Sequence, residues 1–209
     1  MPYGITRVLA GLAFSLGLIL VVVAGAELFT GNNLLAMATA SRRVRVTALL
    51  RHWTIVYLAN FVGAVATALL VYGSGFFEGG EGATGVRALD IAATKTSLGF
   101  AEAVLLGVLA NALVCLAVWL SLSAHSVTDK VVAVIFPITA FVAAGFEHSI
   151  ANMYFIPAGL FIKAWAPDTF WASTGTAAAD YPSITWQDFL VDNLLPVTIG
   201  NIIGGAVLV

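Results

Sequence analysis

Long apolar runs separated by short polar connections dominate the chain. Five of them are long enough to cross the roughly 30 Å hydrocarbon core of a bilayer, and they lie at residues 5–40, 48–72, 98–123, 131–165 and 189–209. The first and fourth runs are too long for one simple helix, and clusters of polar residues and glycine interrupt both. Non-helical backbone survives at membrane depth only where protein or a water-filled cavity satisfies it. The pattern therefore predicts five crossings, two of them by broken helices.

Composition supports the same class of protein. Hydrophobic residues make up 60% of the 209 positions and charged residues only 10%, with a mean hydropathy of +0.99. No soluble domain of this size buries that much apolar surface, so we expect an all-α membrane protein. The formal net charge of −2 argues against a nucleic-acid partner. The first apolar run lacks a small-residue cleavage site before Glu27, which favours a retained span over a signal peptide.

Charge in the connections predicts the orientation in the membrane. Four arginines crowd one short connection, Arg42, Arg43, Arg45 and Arg51. Acidic residues fall instead in the two long connections, at residues 73–97 and 166–188. Short loops rich in Lys and Arg stay in the cytoplasm, so we expect the Arg-rich side to be cytoplasmic.

Glu147 and His148 lie inside the fourth apolar run. A charged side chain near the bilayer centre costs about 2.5–3.5 kcal/mol on insertion scales, so an ionisable pair there is a functional-site hypothesis. The alternative for His148 is a structural histidine satisfied by hydrogen bonds. The surrounding sequence has to distinguish the two.

An internal repeat links this pair to the first broken run. Three residues recur with identical spacing, Gly25, Glu27 and Asn32 as Gly145, Glu147 and Asn152. An Asn-x-x-Gly motif recurs further on, at residues 60–63 and 201–204. An odd number of helices separates the copies, so they run in opposite directions, as in inverted repeats that bind ligands where discontinuous helices meet. The sequence predicts one transmembrane domain, residues 1–209, with repeats at 1–73 and 97–209.

The second repeat has an extra helix, the run at 98–123, ahead of its broken helix. We therefore expect a six-helix protomer whose first helix has no counterpart in this chain, and a last helix truncated at Val209.

Polar residues at the two breaks have structural interpretations as well. We expect Glu27 and Glu147, with Asn32 and Asn152, to satisfy backbone groups freed at the breaks, because buried N–H groups need acceptors. A role of the two carboxylates in gating is the alternative. Asparagines in apolar helices commonly bridge helices, so Asn111 and Asn201 are candidates either for bridging or for lining a pore.

The residues quoted so far resemble the formate/nitrite transporter family, and within it the formate channels. The resemblance covers nearly the whole chain and is carried by residues 14–20 (FSLGLIL), 25–30 (GAELFT), 111–119 (NALVCLAVW), 145–152 (GFEHSIAN) and 196–205 (PVTIGNIIGG). It implies an aquaporin-like inverted-repeat bundle that forms a homopentamer in the bacterial cytoplasmic (inner) membrane. Gly31-Asn32-Asn33 departs from the formate channels, which keeps nitrite and hydrosulfide open as alternatives to formate, with acetate a further candidate substrate.

The resemblance also implies a pore in each protomer, with apolar constrictions around a polar centre. It assigns five residues to the substrate pathway, namely Thr30 and His148 as the central pair, Asn111 and Asn201 beside them, and Lys95 in the outer vestibule. It assigns four residues to the constrictions, Leu18, Leu28, Phe29 and Phe141.

Physical chemistry suggests how such a pore treats a small anion. Half-helix N-termini near Thr30 and Ser149 carry partial positive charge that suits a carboxylate. A histidine has an ordinary pKa near 6.5 and changes charge easily at working pH. Our hypothesis is that His148, steered by Thr30 and Asn201, hydrogen-bonds or transiently protonates the substrate, so that protons take part in transport.

Other functions find less support in the sequence. It contains no metal-spaced Cys/His cluster, no nucleophile beside a base in a soluble site and no phosphate-binding loop. We therefore expect no enzyme activity, no catalytic residue, no metal and no cofactor. A neutral-solute channel of the aquaporin type would carry paired Asn-Pro-Ala breaks, which the sequence lacks. A non-conducting structural subunit of a membrane assembly stays open as an alternative.

Overall fold

A computed structural model describes residues 2–209, and all regular structure within that range is helical. The α-helices are α1 (Tyr3–Ala24), α2 (Leu35–Ala40), α3 (Val46–Gly73), α4 (Ala83–Thr96), α5 (Phe100–Leu122), α6 (Val127–Ala144), α7 (Ser149–Trp165), α8 (Asp168–Thr174) and α9 (Leu195–Ile203). Short 3₁₀ turns lie at Gly31–Leu34, Phe76–Glu78 and Ala178–Asp180. Two π-helical stretches, Asp188–Leu194 and Gly204–Leu208, flank α9.

Five helical stretches of the described chain are long and apolar enough to cross a membrane. They are α1, α3, α5, α6 and the continuous stretch Asp188–Leu208. Each falls on one of the five predicted runs, so the prediction of five apolar helices is confirmed. Both predicted interruptions are present as well, because α1 ends at Ala24 and the run at 131–165 divides into α6 and α7.

Both interrupted helices end in the same motif. The residue after each helix is a glycine in the left-handed region, Gly25 with φ 73° and Gly145 with φ 81°. The following amide donates to the carbonyl five residues back, Ala26 to Val21 at 3.0 Å and Phe146 to Phe141 at 3.1 Å. This is the Schellman arrangement, which favours glycine because a Cβ is strained at positive φ. The sequence repeat thus encodes a repeated helix ending.

The chain divides into two compact units. The first comprises residues 2–58, 104–148 and 197–209, and the second comprises residues 59–103 and 149–196. Each unit contains parts of both predicted repeats, so a single domain with repeats at 1–73 and 97–209 stays a prediction.

In the first unit, α1 and α6 pack in opposite directions. Arg7 Nε donates to the Ala143 carbonyl at 3.1 Å, and one turn further along α1 a Cβ on Gly11 would lie 2.8 Å from the Thr139 Cα. Higher-numbered residues of α1 contact lower-numbered residues of α6, so the two helices are antiparallel, as inverted copies require. The apolar core of this unit lies where these helices meet α5, at Leu18, Ala110, Val114, Ala117, Val134, Ile138 and Phe141.

The first unit also contains a close helix pair, α5 with α9 and the π-helical stretch Gly204–Leu208 that continues it. A Cβ on Gly200 would lie 2.2 Å from the Val104 carbonyl oxygen, and one on Gly204 would lie 2.2 Å from the Val108 carbonyl oxygen. Residue numbers increase in the same direction along both helices, so the two helices are parallel. Small residues spaced by four allow membrane helices to approach this closely.

The second unit contains α4, a helix within one of the two long polar connections. Its buried positions, Gly85, Leu89, Ala92 and Thr96, recur every three or four residues, which makes one face apolar despite the low hydropathy of the helix. The apolar face packs on α7, where a Cβ on Gly159 would lie 2.5 Å from the Ala92 Cβ.

Tyr181 is a buried residue of the second unit and lies beside Asp90 of α4. Burial and the neighbouring carboxylates of Asp90 and Asp180 raise the pKa of Tyr181. The phenol therefore stays protonated at neutral pH and keeps its hydrogen bond to Asp90.

Candidate functional site

Thr30 and His148 meet in the first unit although 118 residues separate them. Thr30 Oγ1 and His148 Nε2 are hydrogen-bonded at 2.8 Å. The two residues are 0% and 6% exposed. Each directly precedes the point at which helix resumes after a break, the 3₁₀ turn Gly31–Leu34 for Thr30 and α7 for His148. The two residues predicted as a central pair are therefore brought together by the two breaks.

Asn111 of α5 ties the first break to α9. Its Nδ2 donates to the carbonyl oxygens of Thr30 at 3.3 Å and Asn201 at 2.7 Å. The same nitrogen donates to Asn33 Oδ1 at 2.8 Å. All three asparagine and threonine partners are fully buried, where hydrogen bonds offset the desolvation of polar groups.

Asn201 of α9 holds the second break in a similar way. Its Nδ2 donates to the Gly107 carbonyl at 2.8 Å and to the Glu147 carbonyl at 3.0 Å. The Glu147 amide donates to the Leu106 carbonyl at 3.3 Å. The amide and the carbonyl of Glu147 are thus satisfied by α5 and α9, as membrane-depth coil requires.

The matching glutamates of the two breaks have different surroundings. The Glu147 residue is only 5% exposed, whereas the Glu27 side chain is 62% exposed. Asn32 Nδ2 donates to Glu27 Oε2 and approaches His52 Nε2 at 3.0 Å. A shared role for the two carboxylates, as acceptors from freed backbone N–H groups, stays a prediction.

Three of the four predicted constriction residues lie together. Leu18 and Phe141 belong to the apolar core described above, and Leu28 packs against it. The Phe141 ring centroid lies 5.9 Å from that of His148. Phe29 has other neighbours, because its ring meets the edges of Trp53 at 6.0 Å and Tyr57 at 4.9 Å.

Lys95 and Asn152 belong to the second unit. The Lys95 Nζ lies 5.7 Å from the centroid of the Phe155 ring, within range of a cation–π interaction. Asn193 joins the two positions, since its Nδ2 donates to the Lys95 carbonyl at 2.8 Å while its Oδ1 accepts from Asn152 Nδ2 at 2.7 Å. These two predicted site residues therefore share a polar cluster of their own.

Sequence reasoning missed several residues of the first unit that hold the breaks, among them Asn33 and Arg7. Asn33 is fully buried and donates from Nδ2 to the Phe29 carbonyl at 3.2 Å. Arg7 places its guanidinium against the second break, where a Cβ on Gly145 would lie 2.7 Å from Nη2. The role of Arg7 could have been predicted from its helical spacing with Gly11 and Leu18, because this spacing places all three on the face of α1 toward α6.

The fold and the site define a multi-pass helical membrane protein of the transport type. Discontinuous helices provide its buried polar groups, and apolar side chains lie next to them, a combination found where ions or small solutes cross membranes.

Comparison with known proteins identifies the family. The sequence model of the family described as Formate/nitrite transporter matches residues 1–209. The chain belongs to the formate/nitrite transporter family.

Its relatives include proteins named as formate channels. The chain is 47% identical to the formate channel FocA of Escherichia coli (strain K12) over 209 residues, which is 100% of this chain and 73% of that protein. It is 43% identical to the formate channel FocA of Haemophilus influenzae, covering 99% of this chain and 72% of the relative. These relatives are channels rather than enzymes, which agrees with the expected class of function.

Solved structures of two channels have the same fold. A pentameric formate channel with formate bound matches with a TM-score of 0.91 at 43% identity, over 100% of this chain and 82% of that chain. An ion channel of the family matches with a TM-score of 0.80 at 28% identity, over 97% of this chain and 74% of that chain. The predicted fold class is therefore confirmed.

Proposed function

We propose that this protein is a channel for small monovalent anions, with formate as its main substrate. It works as a homopentamer in the bacterial cytoplasmic membrane, with one pore in each protomer. The observation that carries the proposal is the buried hydrogen bond of 2.8 Å between Thr30 and His148, in a chain that is 47% identical to a formate channel.

The polar centre lets the anion leave water. Thr30 and His148 offer hydrogen-bonding side chains, and the buried amides of Asn111 and Asn201 hold the two breaks around them. A small carboxylate bound there replaces part of its hydration shell with oriented dipoles, which lowers the cost of entering the membrane. Lys95 raises the local anion concentration at the outer mouth.

The apolar residues around the centre prevent a leak of ions. Leu18, Leu28 and Phe141 form the constriction next to His148, because they share one apolar cluster and Phe141 contacts the histidine ring. Phe29 supports the break from its other side through Trp53. Such a constriction favours a neutral solute, because desolvating an ion costs several kcal/mol even after relaxation.

His148 converts the formate anion into neutral formic acid by giving it a proton. Its ring is hydrogen-bonded to Thr30, and imidazole changes charge near neutral pH, so it can lend a proton to formate at the centre. Formic acid then crosses the constriction without the penalty of an ion. Bare formate moves outward, because a membrane potential of about 100 mV, negative inside, favours anion efflux by about 2.3 kcal/mol. Import therefore depends on protons, and efflux does not.

A second candidate substrate has a specific observation in its favour. The departure at Gly31-Asn32-Asn33 places a buried amide, that of Asn33, in contact with Asn111 next to Thr30. An additional polar group at the centre suits anions that hydrogen-bond differently from formate, such as nitrite or hydrosulfide.

The test is anion flux into proteoliposomes that contain the purified protein. We expect formate influx that rises as the outside is acidified, and we expect a His148→Asn variant to lose this dependence on pH. Thr30→Ser keeps the hydroxyl and serves as the matched control, whereas Thr30→Ala should slow flux about tenfold, the effect of losing one buried hydrogen bond. Flux of nitrite and hydrosulfide in the same vesicles ranks the substrates.

Two results would contradict the proposal. A His148→Asn channel that keeps the wild-type pH dependence excludes the role of His148, although anion conduction itself would stand. A protein that passes none of the three anions, and whose assemblies tolerate Thr30→Ala and His148→Ala, is a structural subunit instead.

A further inference from the structure

Asn193 links the end of α4 to α7 within the second unit. Its Nδ2 donates to the Lys95 carbonyl at 2.8 Å, and its Oδ1 accepts from Asn152 Nδ2 at 2.7 Å. Asn152 and Asn193 are both fully buried. The two amides therefore lie out of solvent, next to the backbone of a residue that is proposed to attract anions.

The position of Asn193 follows from an irregular helix. It lies in the π-helical stretch Asp188–Leu194, two turns of chain that end just before Pro196. Proline has no N–H, and its ring collides with the carbonyl four residues back in a regular α-helix, which favours a wider turn ahead of it. Asp192 is exposed, whereas Asn193 beside it is buried. Single π turns are frequent at functional sites.

The hydrogen bonds determine how the Asn193 amide is oriented. The Lys95 carbonyl only accepts hydrogen bonds, so the amide nitrogen of Asn193 has to face it. The amide oxygen then faces Asn152, whose nitrogen donates to it. The two amides form a directed chain from α7 to the Lys95 carbonyl. A side chain that lacks either the donor or the acceptor cannot replace Asn193.

The Lys95 carbonyl needs such a donor because α4 ends there. The helix spans Ala83–Thr96, and carbonyls in the last turn of a helix have no helical amide to accept from. Thr96 adds a second link, since its Oγ1 donates to Ser183 Oγ at 3.3 Å. Asn193 therefore caps this end of α4 from another helical segment, and the last turn should loosen without it.

The ammonium group of Lys95 has a contact of its own on α7. Its Nζ lies 5.7 Å from the centroid of the Phe155 ring, within range of a cation–π interaction. Phe155 is three residues beyond Asn152, and residues at this spacing are neighbours on one face of a helix. One face of α7 thus supports both the backbone of Lys95, through the amide chain, and its charge.

We propose that Asn193, supported by Asn152, is a positioning residue of the anion pathway, which holds the last turn of α4 so that the Lys95 ammonium attracts small anions to the pore. This inference rests on the proposed function and deepens it. Lysine is a point charge on a flexible stem, so the place of its charge depends on how firmly the backbone beneath it is held.

The first experiment measures initial formate uptake into proteoliposomes against formate concentration at low ionic strength. Asn193→Leu retains a side chain of similar size but removes both hydrogen bonds. The concentration for half-maximal uptake should rise about threefold with the maximal rate nearly unchanged, because capture of the anion weakens while the pore is intact. The difference should disappear in high salt, which screens the charge. A loss of folded channels would lower the maximal rate instead.

A double-mutant cycle tests whether Asn193 acts through Lys95. The ammonium is absent in a Lys95→Gln background, so adding Asn193→Leu there should not raise the half-maximal concentration any further. An equal rise in both backgrounds would show that the amide does not act through the charge, and it would overturn the proposal.

Tyr181→Phe is the matched control for the packing of α4. It removes the hydrogen bond from the Tyr181 hydroxyl to Asp90 of the same helix and leaves the amide pair intact. The half-maximal concentration should stay at the wild-type value. A rise equal to that of Asn193→Leu would mean that any loosening of α4 suffices, which contradicts a specific role of Asn193.

Hydrogen exchange tests the helix end without transport. The Ser97 amide donates to the Ala93 carbonyl at 3.1 Å and reports the last turn of α4. Its exchange should be about fivefold faster in Asn193→Leu, from the loss of one hydrogen bond, and unchanged in Tyr181→Phe. Unchanged exchange in Asn193→Leu overturns the proposal.

Phe155→Leu is the second variant, and it decides the matter if Asn193→Leu does not assemble. It retains an apolar side chain but removes the ring that lies against the Lys95 ammonium. The half-maximal concentration should rise about twofold, and an unchanged value contradicts the positioning of Lys95 by α7.

The outcomes separate this inference from the proposed function. A wild-type protein that passes no small anion overturns both. A conducting wild-type protein whose half-maximal concentration is unchanged by Asn193→Leu overturns the positioning role of Asn193 alone.

Discussion

The two helix breaks begin alike and continue differently. Both start with a left-handed glycine and the same Schellman hydrogen bond. The first break then passes through coil and a 3₁₀ turn before α2, whereas the second reaches α7 after only Phe146, Glu147 and His148. The duplicated motif thus determines how each helix ends, but the path of the chain beyond the glycine differs between the two copies.

The two breaks also differ in the groups that hold them. Side chains of α3, above all His52 and Trp53, hold the first break. The second is held by the backbone of α5 and by Asn201, with Glu147 buried. Buried amides hold both breaks, Asn111 at the first and Asn201 at the second, and the half-buried side chains of His52 and Trp53 hold the first break in addition. The contrast shows that contacts with neighbouring helices, rather than the repeat, determine how each break is held.

The largest effect is expected from removing the buried support of the second break. Asn201→Leu leaves the Gly107 and Glu147 carbonyls without their amide donor, so the free energy of unfolding should fall by about 3 kcal/mol. Unfolding by SDS in mixed micelles measures the change. Asn60 occupies the matching place in the other repeat but is half-buried, so Asn60→Leu is the control. Equal losses in the two variants would contradict the contrast between the breaks.

Alanine at the two capping glycines gives an intermediate effect that differs between the breaks. Gly25→Ala should cost about 1 kcal/mol from backbone strain alone, because nothing lies within 4 Å of a Cβ there. Gly145→Ala should lower the free energy of unfolding by about 2 kcal/mol, because the new Cβ would lie 2.7 Å from Arg7 Nη2 and would displace the guanidinium. The same unfolding assay compares them. Combining Gly145→Ala with Arg7→Ala should remove the difference, and a persistent difference would show that Arg7 is not its cause.

The smallest effect is expected at the first break. Trp53→Phe removes the hydrogen bond from Nε1 to the Asn32 carbonyl but retains an aromatic ring against Phe29. The stability should fall by about 0.5–1 kcal/mol, and exchange of the Asn32 and Asn33 amides should increase while that of Glu147 stays unchanged. Faster exchange at Glu147 would mean that the breaks do not move independently.

Hydropathy predicted the five apolar helices, because each must bury a continuous run in lipid. The repeat predicted both breaks, since glycine at a left-handed position is a local requirement. The sequence analysis did not predict α4, because its apolar face is narrow and its mean hydropathy is low.

The candidate site was predictable in part. The resemblance placed Thr30 and His148 as a pair, and the structure joins them at 2.8 Å. Asn33, Arg7 and His52 were missed, because their importance depends on which helix lies opposite each of them. Sequence periodicity gives the face of a helix but not its neighbour, so contacts between distant elements needed the structure.

The close pair of α5 and α9 has a consequence for biosynthesis. Asn201 lies on α9, which follows every other element of the site in the chain, and a Cβ on either glycine of this pair would overlap the backbone of α5. During synthesis, the carbonyls of Thr30 and Asn201 cannot be joined through Asn111 until α9 has inserted alongside α5. The polar centre is therefore completed only once α9 has inserted, and a nascent chain without α9 lacks the buried amide of Asn201 at the second break.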